Sequence, residues 1–245
     1  MFAQGFFMLR GFAPGSDMML IYAARIVALL TAIPLHESAH AWVSYKLGDP
    51  TGRNMGRISM NPARHFDLLG SLCMLLLGFG WAKPVPVDTR YYANRKAGMA
   101  VSSLAGPLSN VLMAFFCVVF YKVFDYIGYF AQYPSGMVFA LRTVFSYMAA
   151  INVLLAVFNM LPVPPFDGSR IFLIFLPERL YFGIMKIERY IVFVVFALLW
   201  SGYLGRPLVF MQSGVMRILD SATQFVDVIM RMILASSLPA VGIIV

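Results

Sequence analysis

Between Asp17 and Lys46 the chain runs for 28 residues with only four interruptions, Arg25, His36, Glu37 and His40. That exceeds the ~20 residues a helix needs to cross a bilayer, so the stretch reads as a membrane-spanning helix. Three of the four interruptions form His36-Glu37-Ser38-Ala39-His40, an H-E-x-x-H. Residues four apart share a helix face, so both imidazoles point the same way. At that spacing they can hold one Zn²⁺, and Glu37 beside them can reach a water on the metal. Lipid disfavours all three residues, which argues for a use rather than chance. Arg25 is near enough to the start to snorkel, and Pro34 is expected to bend the helix just before His36.

Composition agrees with a chain built for lipid. Of 245 residues, 60% are hydrophobic and only 12% charged, and the mean hydropathy is +0.78. A soluble domain is about a quarter charged, so the expected fold class is an all-α polytopic membrane protein. The formal net charge of +8 sits in short loops, with no aromatic-interleaved basic domain, and nucleic acid is not an expected partner. Cys73 and Cys117 lie far apart in apolar segments and read as small buried hydrophobes. No cleavable signal peptide is expected, because the first long apolar stretch carries the H-E-x-x-H.

Three regions follow along the chain. Residues 1–17 read as a leader, 18–206 as a membrane-embedded core and 207–245 as an amphipathic and apolar tail. About four to six transmembrane helices are expected. Gly98 to Tyr121 and Thr143 to Phe166 are uncharged and long enough to span, with 122–142 as the connection between them. Tyr190 to Gly205 is a shorter apolar segment. Leu68 to Ala82 is too short for a confident span and rich in glycine, so a small re-entrant or β-hairpin element is expected there, followed by an extended Lys83-Pro84-Val85-Pro86-Val87. Ser102, Gly106 and Asn110 recur every four residues, a small-residue stripe that lets helices approach closely.

Counting Lys and Arg orients the chain. Loops 46–66, 83–97 and 170–189 hold four each, whereas 122–142 holds Lys122 and Arg142. Placing the first three in the cytoplasm requires the 67–82 element to be re-entrant. The H-E-x-x-H then lies toward the cytoplasmic side of a multi-pass plasma-membrane protein.

A catalytic zinc needs a third protein ligand and an open position for water. Asp167 and His65, the remaining histidine, are the candidates. Asp167 is favoured, since it follows a span ending at a similar depth, and an unpaired carboxylate near the bilayer is costly unless it binds something.

The ordered motifs resemble the site-2 protease family of intramembrane zinc metalloproteases. HESAH at 36–40 is followed by Asn61-Pro62-x-x-His65, by Gly78 to Pro86 (GFGWAKPVP), by Ala105-Gly106-Pro107-x-x-Asn110 and by Asn159-x-x-Pro162-x₄-Asp167-Gly168. The likeness covers roughly residues 25–175 in the family's order, with Phe166 where the family usually has Leu, and without room for a PDZ-like insertion. It implies one Zn²⁺ per chain on His36, His40 and Asp167, with Glu37 as catalytic base and Asn159 near the substrate carbonyl. His65 is read as a loop residue supporting the site. The implied activity is hydrolysis of peptide bonds in or near transmembrane helices of single-span membrane proteins, with the bilayer as the other partner. An edge within 67–87 would hold the unwound substrate by strand addition. Two other readings stay open, an ion or metal transporter whose path uses the intramembrane His, Glu and Asp, and a catalytically inactive relative that binds membrane helices.

Overall fold

Alanine at every fourth position sets the first helix. A computed structural model of the chain describes residues 18–67, 70, 82–130 and 136–237. The expected leader, nearly all of the 67–82 element and the last residues from 238 lie outside the described residues. Helix α1 (Met18–Lys46) buries Ala24, Ala28 and Ala32, and the same i, i+4 row continues through His36, His40 and Ser44. The imidazoles therefore stand in the packed stripe of the helix, where neighbouring backbones come closest. Pro34 is also buried in this helix.

After a short α2 (Thr51–Asn54) and irregular chain, α3 (Arg95–Phe130) starts where the Asn94 side chain accepts from Ala97 N at 3.0 Å, a helix N-cap. It carries a matching row, Ser102, Gly106, Asn110, Ala114, Val118 and Lys122, all buried. Its opposite row, Leu104, Leu108, Leu112 and Phe116, is exposed. Small and polar inside, large and apolar outside, is the reverse of a soluble helix and suits a lipid surround.

Helix α4 (Gly136–Asn159) completes a frame in which α1, α3 and α4 pack on one another. These three, taken as Tyr22–Lys46, Arg95–Phe130 and Gly136–Asn159, are the described helices long and apolar enough to cross a membrane. The chain is an integral membrane protein by that criterion and by the family described below. Both later spans start or run further than charge-free stretches implied. Helix α3 continues through Lys122 and Asp125, and α4 begins before Arg142, because these charges are paired. Lys122 meets two aspartates of the C-terminal part, and Arg142 Nε lies 2.7 Å from Asp125 Oδ1. Helix α4 stops at Asn159, since Pro162 cannot continue it.

The remainder is helical in short pieces: α5 (Asp167–Phe172), α6 (Glu178–Lys186), α7 (Glu188–Trp200), α8 (Gly205–Ala222) and α9 (Gln224–Ser237). Leu208 and Leu219 of α8 join the main core cluster with Ala28, Ala114, Cys117, Met148 and Val153. The described residues contain no β-strand, only an isolated antiparallel bridge from Phe66 to Ala82.

Candidate metal centre

Three donor atoms converge between α1, α3 and α5. His36 Nε2 and His40 Nε2 are 3.0 Å apart, and each lies 3.2 Å from Asp167 Oδ2. The imidazole planes stand nearly perpendicular, at 87°. All three side chains are largely buried.

Each ligand candidate is delivered by a local device. The two histidines come from the i, i+4 spacing on α1. They fit against α3 because position 106 is glycine; a Cβ there would lie 2.3 Å from His40 Nε2 and 2.6 Å from His36 Cε1. Asp167 is the first residue of α5, after the proline-rich turn that follows α4. Its neighbour Gly168 passes so close to the carbonyls of Met160 and Leu161 that a Cβ would sit 2.3–2.6 Å from them. Ser169 Oγ donates to Phe166 O at 2.7 Å and closes the turn.

The donor set fits a metal ion. His40 Nδ1 lies 2.7 Å from the main-chain oxygen of Ser102, an acceptor only, so Nδ1 carries the proton and Nε2 presents its lone pair. That lone pair faces a carboxylate oxygen, and two acceptors 3.2 Å apart need a cation between them. Ligand atoms at ~2.0–2.1 Å from a tetrahedral zinc stand about 3.3 Å from one another, close to the spacing observed.

Glu37, the residue after His36 on α1, is half-buried. Next to it Ser38 Oγ donates to Ser59 O at 2.6 Å and accepts from Ser59 N at 3.1 Å, docking the chain after α2 onto α1. The buried Arg57 guanidinium donates to the main-chain oxygens of Arg64 and Lys83. His65, fully buried, sits in this clasp and outside the donor triangle. Its Nε2 donates to Ser59 O at 2.6 Å, its carbonyl accepts from Lys83 N at 2.8 Å, and burial pushes its imidazole pKa down. The two ends of the 67–82 element are thereby tied together beside Glu37. Asn159 is the last residue of α4; its Nδ2 donates to Leu155 O at 2.9 Å, which leaves one amide hydrogen for another acceptor.

Two residues that shape the centre are legible in the sequence only as helix packing. Ser102 and Gly106 belong to the four-residue stripe, but a stripe says that something approaches closely without naming what. Here the close neighbours are the imidazoles themselves.

Two histidines and an aspartate are drawn together in a membrane-embedded helix frame as a group that could hold a metal ion, with a glutamate next to the first histidine. The chain belongs to peptidase family M50, the site-2 proteases, whose family model matches residues 24–202. Three relatives carry the name "Putative zinc metalloprotease": YwhC of Bacillus subtilis, MJ0611 of Methanocaldococcus jannaschii and Rip2 of Mycolicibacterium smegmatis. YwhC is 35% identical over 74% of this chain and 81% of its own length. MJ0611 is 29% identical over 62% and 70%, and Rip2 26% over 60% and 55%, respectively. No solved structure matches the chain.

Proposed function

We propose that this metallopeptidase is an intramembrane zinc protease that cuts single-span membrane proteins within or near their transmembrane helices. The observation that carries the reading is the convergence of His36, His40 and Asp167 to within 3.2 Å at the packed seam of a membrane helix. These three residues would hold one zinc per chain. Zinc, when bound, polarises the scissile carbonyl and lowers the pKa of water toward ~7. Glu37 takes the proton of the attacking water and passes it to the leaving amine. The free amide hydrogen of Asn159 stabilises the developing oxyanion. His65 holds the clasp beside Glu37.

A substrate helix has its peptide bonds internally hydrogen-bonded and must open before it can be cut. An edge within residues 67–87 would hold the opened strand by strand addition. The basic loops 46–66, 83–97 and 170–189 support an orientation in the plasma membrane with the site toward the cytoplasm.

The test is cleavage of a panel of tagged single-span proteins by the zinc-quantified wild type and by Glu37→Gln. Glu37 is not among the three donors, so zinc content stays equal while cleavage falls by about 10²–10⁴-fold. Equal zinc with no cleavage by either protein would sink the protease reading.

A further inference from the structure

His40 is held from behind. Its Nδ1 donates to Ser102 O at 2.7 Å, and Ser102 Oγ in turn reaches the main-chain oxygen of His40 at 3.4 Å. A single side chain, Tyr92, ties this contact to the next turn of α1. The Tyr92 hydroxyl lies 2.8 Å from Ser44 Oγ, and its ring packs against Gly98 in the first turn of α3, one turn before Ser102. Ser44 is four residues beyond His40, on the same face of α1. Ser44 Oγ donates to Asp49 Oδ2 at 3.0 Å. That carboxylate is closed off by backbone donors, Asp88 N on Oδ2 at 2.9 Å and Thr51 N on Oδ1 at 2.9 Å.

The protons in this chain run one way. An ionised Asp49 only accepts, so Ser44 gives it its proton and accepts from Tyr92, while Ser102 Oγ gives its proton to the His40 carbonyl. Every member is buried: Asp49 is 0%, Ser44 1%, Ser102 3% and Tyr92 6% exposed. The ring of Tyr92 has no slack. It lies flat on the first turn of α3, where a Cβ at Gly98 would meet it at 2.4 Å. Gly48, with φ +106°, turns the chain so that Asp49 reaches back to Ser44.

We propose that Tyr92, backed by Ser44 and Asp49, is a positioning residue for the metal site: its hydroxyl on Ser44 and its ring on Gly98 bridge α1 to the first turn of α3 and fix where Ser102 O stands behind the imidazole. Groups that orient a metal-binding histidine through its second nitrogen are worth about 10–100-fold in metal affinity. Tyr92 acts further out, through the packing of α1 on α3, so the lower end of that range applies. The inference rests on His40 being a zinc ligand.

The experiment uses the full chain in nanodiscs. Zinc affinity is measured by competition with a chromophoric chelator, and the visible spectrum is recorded with Co²⁺ in place of zinc. Tyr92→Phe removes one hydroxyl and keeps the ring. Ser44→Ala cuts the same link from the α1 side and decides the matter if Tyr92→Phe does not fold. Both variants are expected to weaken zinc about tenfold and to shift the cobalt bands. Val153→Ala, a core truncation outside the network, is expected to lower the melting temperature and leave zinc affinity and the cobalt spectrum unchanged. Wild-type zinc affinity and cobalt spectrum in Tyr92→Phe and Ser44→Ala would overturn the proposal. His36→Ala separates the two readings. If it loses zinc while Tyr92→Phe does not, only the positioning role is wrong. If it keeps wild-type affinity, the metal site and the positioning role both fall.

Discussion

At Gly106 helix α3 faces the two imidazoles, whose Nε2 atoms converge with a carboxylate oxygen of Asp167. Sixteen residues further along, at Lys122, the same helix faces a complete set of partners. The Lys122 ammonium has three N–H donors. It meets Asp227 Oδ2 at 2.6 Å, Asp220 Oδ1 at 2.9 Å and Asp220 O at 3.2 Å. Both ends bury polar and charged groups among the helices. One end is closed, donor matched to acceptor, and holds α8 and α9 against α3. The other brings two ring nitrogens and a carboxylate oxygen within 3.0–3.2 Å of one another, a set that could hold a cation. Burial of charge alone therefore does not mark a functional site in this fold. The balance of donors and acceptors does.

The largest test of that contrast is Asp167→Ala. It removes the acceptor common to both histidines, so stoichiometric zinc and cleavage are expected to be lost together, read by metal analysis and by the substrate panel. Gly106→Ala comes next. Its Cβ would overlap both imidazoles, and strain of about 1–3 kcal/mol should appear as a 5- to 150-fold loss of zinc affinity with little change in melting temperature. The smallest effect belongs to the closed end. Lys122→Met leaves two partly exposed aspartates without their partner and should lower stability by about 1–3 kcal/mol, seen in thermal unfolding, with zinc content unchanged. Adding Asp227→Leu should return much of that loss, because an apolar pair is often as stable as a buried ionic one. A zinc defect in Lys122→Met would show that the two ends are not independent.

The two ends also differ in how much of them the chain order reveals. His36, Glu37 and His40 are legible because helix geometry converts sequence spacing into spatial spacing. Asp167 is legible through its Asp-Gly turn after a span. Their meeting needs no information beyond the depth of two helices. The partners of Lys122 lie 98 and 105 residues away, and nothing local marks them. For that reason residues 122–142 read as a connection, whereas the structure carries α3 through Lys122 to Phe130 and starts α4 at Gly136. Tyr92 was hidden for a similar reason. It sits in a short polar stretch between Arg90 and Arg95, and its role depends on Ser44 of one helix and Gly98 of another. The small-residue row of α3 was visible as a row, but only the fold shows that its neighbours are the imidazoles.

Because α3 is one unbroken helix, the spacing of its two ends has a mechanical meaning. Gly106 and Lys122 are separated by about 24 Å along the axis. The helix is then a lever, with the grip of α8 and α9 at one end and the wall of the metal pocket at the other. A tilt of about 2° pivoting at Lys122 swings Gly106 by about 0.8 Å. A displacement of about 1 Å in a catalytic arrangement costs on the order of 100-fold in rate. The C-terminal helices thus anchor the far end of the helix that walls the metal pocket.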